Sequence, residues 1–125
     1  MRKVSSIKEA LEAVQQGLVV LADLPEIFKT PEICLAAVQE SGWALEYVPE
    51  ALKTHEICLA AVTQEGWALQ LVPEKLKTPE ICLTAVKQFG GALEYVTDAL
   101  KTLELCQVAV QNDGEALKFV PKAFR

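Results

Sequence analysis

An all-α solenoid of five 24-residue helix-turn-helix repeats is the fold class this sequence predicts, and three observations predict it. The segment "TPEICLAAVQESGWALEYVPEALK" at residues 30–53 is followed at 54–77 by "THEICLAAVTQEGWALQLVPEKLK", nearly a copy. Thr30, Thr54, Thr78 and Thr102 stand at a constant step, with Ser6 one step earlier in the same register. Apolar residues between them recur at intervals of three and four, the spacing of one helix face. A unit this short cannot bury its apolar stripe alone, whereas five stacked copies share a continuous core. The units are 6–29, 30–53, 54–77, 78–101 and 102–125, read as a single helical repeat domain over 1–125.

Within each unit the residue types follow the needs of a helix, a turn and a second helix. Threonine accepts from free backbone N–H groups as an N-cap, and Pro31 and Pro79 suit the next position, where a missing donor costs nothing. Glu32, Glu56, Glu80 and Glu104 sit in the positive first turn. The glycines Gly42, Gly66, Gly90 and Gly114 are expected to close the first helix in the left-handed conformation. A second helix then carries Ala44, Leu45 and Val48, or their equivalents, on its inner face. Pro49, Pro73 and Pro121 end it, and an "EALK"-like segment adds one short turn before the next threonine. Unit one departs from the pattern: Ala10 stands in the cysteine position, Gly17 falls one residue early and Asp23 replaces the tyrosine. Terminal repeats are expected to differ in this way, and Ser6 with Glu9 spells a capping box. At the far end Leu117, Phe119, Val120 and Phe124 either remain partly exposed, offering a homodimer contact through the C-terminal repeat, or fold back as a lid.

Residues 30–125 resemble a family of tandem short helical repeats catalogued as a domain of unknown function. The copies of that family read as an acidic helix start, "AAV", a Gln/Asn–Gly turn, "AL" and a tyrosine. The resemblance implies the helical repeat fold and carries no activity with it.

Composition narrows the function classes. A net charge of −5 and a pI of about 4.9 disfavour nucleic acid, which is held by clustered lysine and arginine, and suit a basic protein partner. The apolar run at 18–22 is too short for a signal-peptide core, and no membrane span is expected, so a reduced, cytoplasmic setting is the expectation. Cys34, Cys58, Cys82 and Cys106 form a ladder with one rung per unit. Zinc requires ligands converging at about 2.3 Å, and stacked copies lie roughly 8–10 Å or more apart. A buried row of small apolar thiols is therefore expected, with no metal and no cofactor. His55 replaces a proline at a helix start and reads as a surface residue. A second ladder, Lys29, Lys53, Lys77, Lys101 and Arg125, is expected to be neutralised by the glutamates three residues after the lysines. No nucleophile–base pair, phosphate loop or metalloprotease string is present, so the protein is read as not an enzyme.

Variation between copies concentrates at the turns: "QESGW" at 39–43, "TQEGW" at 63–67, "KQFGG" at 87–91 and "QNDGE" at 111–115. In a stack these line one edge. That edge carries Trp43, Trp67 and Phe89 among Glu40, Glu65, Asp113 and Glu115, with Glu46, Tyr47 and Leu71 along the second helices. Aromatic side chains ringed by acid make a candidate surface for a basic partner. The competing reading has both tryptophans packing only on neighbouring repeats. The leading expectation is a non-enzymatic protein–protein interaction module using this edge. An acidic immunity or inhibitor protein masking a basic toxin or nuclease, and a self-associating structural repeat, are the alternatives.

Overall fold

Five capped α-helices set the framework in the computed structural model, which describes residues 6–17 and 19–125. The basic start of the chain, residues 1–5, and Leu18 in the short apolar run lie outside those residues. The helices are α1 (Ile7–Gln15), α2 (Pro31–Glu40), α3 (His55–Gln64), α4 (Pro79–Gln88) and α5 (Leu103–Asn112). Each starts where the ladder hydroxyl accepts from the backbone N–H three residues on: Ile33 to Thr30 at 3.3 Å, Ile81 to Thr78 at 3.2 Å, and Glu9 to Ser6 at 3.1 Å. Neighbouring α-helices pack in chain order, and among the described residues there is no strand.

The second helix of each unit is 3₁₀ in form. Gly42–Tyr47, Gly66–Leu71, Gly90–Tyr95 and Gly114–Phe119 are six-residue 3₁₀ helices, each followed by a three-residue 3₁₀ turn such as Glu50–Leu52. Length dictates this. An α-helix of ten residues runs about 15 Å, and the return leg has few residues to cover that span, so the ~2.0 Å rise of a 3₁₀ helix suits it better than ~1.5 Å. The inward row follows the same period: Gly42, Leu45 and Val48 are buried at spacings of three, as are Gly66, Leu69 and Val72. Val48 is extended, as a residue before proline must be, and this stops the helix. Unit one keeps only a three-residue piece, Leu21–Asp23, in the corresponding place.

The glycines do a different job from the one their position suggested. Ser41 caps α2 in an extended conformation, with its N–H donating to the Ala37 carbonyl, and Gly42 has no positive φ. Among the described residues only Gly17 is left-handed, at φ 73°. A Cβ on Gly42 would lie 2.6 Å from the carbonyl oxygen of Ala61, in the last turns of the next α-helix. Gly66 stands the same way on Ala85, and Gly90 on Ala109. Glycine is required here because two backbones touch. Side-chain amides stitch the later junctions: Gln88 donates to the Thr63 carbonyl at 2.5 Å, Asn112 donates to Lys87 at 3.0 Å, and the Asn112 oxygen accepts from the Gly90 N–H at 2.7 Å.

The core is a set of parallel ladders. Ile33, Ile57 and Ile81 stand beside Cys34, Cys58, Cys82 and Cys106, and all are buried. The cysteines are free thiols, and burial pushes each of them up, Cys58 to about 11 despite the opposing pull of Lys53. The lysine ladder is neutralised from the other side than expected. Lys29, Lys53, Lys77 and Lys101 pair with Glu26, Glu50, Glu74 and Asp98, three residues earlier, at 2.9, 2.8, 2.7 and 3.4 Å. Each lysine is the centre of a tight turn in which the threonine N–H reaches back two residues, as Thr54 does to Leu52 at 2.9 Å. That turn buries the side chain to 10% exposure or less and sends it into the junction. Lys77 donates to the Tyr95 carbonyl at 2.7 Å and Lys101 to that of Phe119 at 2.9 Å, capping the 3₁₀ helix of the following unit. Arg125 turns back on its own unit, donating to Val120 and Lys118. At this end Val120 is buried and Phe119 partly so, whereas Leu117 and Phe124 are exposed, so the lid is incomplete.

Two expectations follow from these junctions. Gly66→Ala should lose about 1–3 kcal/mol, because its new methyl meets backbone that cannot step aside, while Gly114→Ala, where a Cβ meets nothing within 4 Å, should stay within about 0.5 kcal/mol of the parent. Thermal unfolding by circular dichroism decides, and equal losses at the two sites would refute the contact. The cysteines should resist a thiol reagent in the native state and react on unfolding. Since native Cys58 holds its proton more tightly than the unfolded thiol, at an ordinary 9.0, its contribution to stability is fully present below pH 9 and lost as pH rises toward about 11. A denaturation series across that window should show the loss, reduced in Cys58→Ala.

Candidate functional site

Stacking at the glycine junctions places the turn residues of units two, three and four side by side. Trp43 and Trp67 meet edge to face with ring centroids 4.9 Å apart, and Trp67 meets Phe89 in the same manner at 6.1 Å. Such pairs add roughly 0.5–1.5 kcal/mol beyond the area they bury. The row packs and is exposed at once: Trp43 is half-buried, Trp67 45% exposed and Phe89 38% exposed. The tryptophans therefore pack on neighbouring repeats while leaving part of their ring surface exposed.

Phe89 does not hold the tryptophan register. It occupies the position of Ser41 and Glu65, and the tryptophan position of its unit is Gly91. A Cβ on Gly91 would lie 2.6 Å from the Phe89 ring, so the phenylalanine fills from one position the space that residue 91 would fill from the other. The aromatic row continues because the exchange is compensated. In unit five the same two positions are Asp113 and Glu115, and the row ends in carboxylates, with Asp113 accepting from the Glu115 N–H at 3.0 Å.

The remaining predicted residues are distributed along this edge. Glu65 is half-buried, and the Ser41 hydroxyl donates to its Oε1 at 3.4 Å across the junction; it lines a shallow hollow with Trp67 and Phe89. Glu40 is exposed beside Ser41 and Ala44 at the first junction. Glu46 is exposed, and Tyr47 is 45% exposed at the end of the unit-two 3₁₀ helix. Neither joins the aromatic row. Sequence reasoning missed Glu94, Tyr95 and Lys118 and read Phe119 only as part of the C-terminal end; these four line a hollow of about 210 Å³ with Trp67, Phe89, Asp113 and Glu115. Tyr95 and Phe119 occupy the register of Tyr47, so the repeat alignment carried the signal. His55 is half-exposed, its Nε2 3.3 Å from Glu80 and 3.5 Å from the Thr78 hydroxyl, between two units. Among the described residues no three histidine, cysteine or acidic side chains cluster as a metal site would require, and no helix is long and apolar enough to cross a membrane.

The exchange at 89 and 91 is testable by a double-mutant cycle. Phe89→Ala should destabilise by removing a ring, and Gly91→Trp by forcing one into occupied space. The double variant should recover at least about 1 kcal/mol relative to the sum, whereas strict additivity would show that the two positions do not share that space.

Comparison with known proteins bears on the repeat as a whole. No curated protein and no solved structure matches the chain. A family model matches in three overlapping windows, residues 30–77, 54–101 and 78–125, each of them two units long and offset from the last by one. The chain therefore belongs to the family described as a domain of unknown function, DUF4116, whose two-unit model matches repeatedly across units two to five.

Proposed function

We propose that the chain is a non-enzymatic protein–protein interaction module that binds a basic protein along the turn edge. The observation that carries this reading is the half-exposed row Trp43, Trp67 and Phe89 standing among exposed carboxylates. Large aromatic side chains presented at an edge supply binding energy, and fixed acid around them selects a cationic surface. Charge placement supports the same partner class. The ladder lysines are each paired with a carboxylate of their own unit, and Lys77 and Lys101 also with a carbonyl of the next, which leaves them less available to a phosphate backbone. Units one and two present Glu12, Glu32, Glu40 and Glu46 at exposed positions, a field that steers a cationic partner to that half. A second reading, self-association, rests on the exposed Leu117 and Phe124 of unit five.

Capture from a lysate of the native host, comparing the parent with Glu40→Lys/Glu46→Lys, separates the two. Both positions are exposed, so the variant should fold normally. Recovery of a basic protein, weakened by salt and reduced about tenfold or more in the variant, is the expected result. Unchanged capture by the variant would move the site away from this edge. No capture, with a molar mass that rises with concentration in light scattering, would favour self-association.

A further inference from the structure

The hollow between units three, four and five combines two features that rarely coincide by packing alone. Four rings contribute to it, Trp67 and Phe89 from the turns of units three and four, and Tyr95 and Phe119 from the ends of the unit-four and unit-five 3₁₀ helices. Its other lining groups are Glu94 from the unit-four 3₁₀ helix, Asp113 at the end of α5, and Glu115 and Lys118 from the unit-five 3₁₀ helix, three anions against one cation. At about 210 Å³ it is smaller than the sites that hold drug-sized molecules and has room for one extended side chain. Gly91 lines it with its side-chain space taken by the Phe89 ring, and Glu115 places a carboxylate where Trp43 and Trp67 predict another ring.

Ring faces attract cations, and carboxylates around them complete the complementarity. The protein already uses one ring in this way: the Lys118 ammonium stands 5.3 Å from the centroid of Phe119. A planar guanidinium gains more from such a setting than an ammonium, because it stacks on a ring while its edge donates to a carboxylate in a two-pronged fashion. We propose that this hollow receives a single arginine side chain of the basic partner, a proposal that rests on the turn-edge reading above. Lys118 is then the internal competitor, lying over Phe119 until the guanidinium displaces it. Steering by units one and two and anchoring between units three and five are separate steps, the first long-range and the second by contact.

The test uses the full chain and short, otherwise uncharged peptides bearing one central arginine, lysine, trimethyl-lysine or citrulline, followed through the two indole N–H signals by NMR. Trp43 lies outside the hollow, one ring further along the row, and should shift less than Trp67. The arginine peptide should shift the Trp67 signal saturably and bind about tenfold tighter than the uncharged citrulline peptide and several-fold tighter than the lysine peptides. Glu94→Gln/Glu115→Gln should weaken it about fivefold or more, and Lys118→Met should strengthen it. Lysine or trimethyl-lysine binding as tightly as arginine would overturn the guanidinium assignment. Shifts at Trp43 alone, or indifference to Glu94 and Glu115, would overturn the hollow as the site while leaving the turn edge standing. If none of the charged peptides moves either indole, and an oligo-arginine peptide also fails to do so, both the hollow and the turn-edge reading fall.

Discussion

The contact on which the rest of the structure depends is the one between a glycine and the next unit's alanine carbonyl. Gly42 on Ala61, Gly66 on Ala85 and Gly90 on Ala109 bring backbone against backbone, closer than any side chain permits. A junction made this way has one depth and one register. It brings the buried cysteines and isoleucines of successive units into register, and it brings the amides of Gln88 and Asn112 within reach of carbonyls in the preceding unit. Side chains in a close-packed interior transmit such constraints with little slack.

The same junction consumes the positive charge. A lysine buried without partners would be costly, and here Lys77 and Lys101 are satisfied by an acid of their own unit and a carbonyl of the next. The ammonium meets the 3₁₀ helix at its carbonyl end, where cations are favoured. The consequence reaches the surface. Since the ladder cations face inward while their carboxylate partners are 65% exposed or more, the exterior is more acidic than a net charge of −5 suggests.

The aromatic row shows how a repeat preserves a feature while changing its letters. Trp43 and Trp67 are related by the repeat, and Phe89 reaches the third place from a different position because Gly91 vacates it. Space was maintained where identity was not. Only at unit five does the chemistry change from ring to carboxylate, and there the rings and acids enclose the hollow.

The sequence by itself determined the units, their caps and their buried faces. Thr30, Thr54, Thr78 and Thr102 cap helices, Cys34 to Cys106 lie buried, and Trp43, Trp67 and Phe89 share an edge, because local hydrogen bonding and apolar periodicity act within a few residues and repeat unchanged. Tertiary structure decided what depends on the neighbouring unit. The glycines read as helix stops because their position after a helix is locally consistent with that role, and only the adjacent Ala61, Ala85 and Ala109 reveal the close approach. The return leg read as α because Ala44, Leu45 and Val48 fit either period over so few residues, whereas the distance to be spanned selects 3₁₀. The lysines read as partners of the following glutamates because sequence proximity is symmetric, and the tight turn at Lys53 and Lys77 breaks that symmetry toward Glu50 and Glu74. The enclosure of Tyr95 and Phe119 with Glu94 and Lys118 arises between units, where no spacing within one unit reports it.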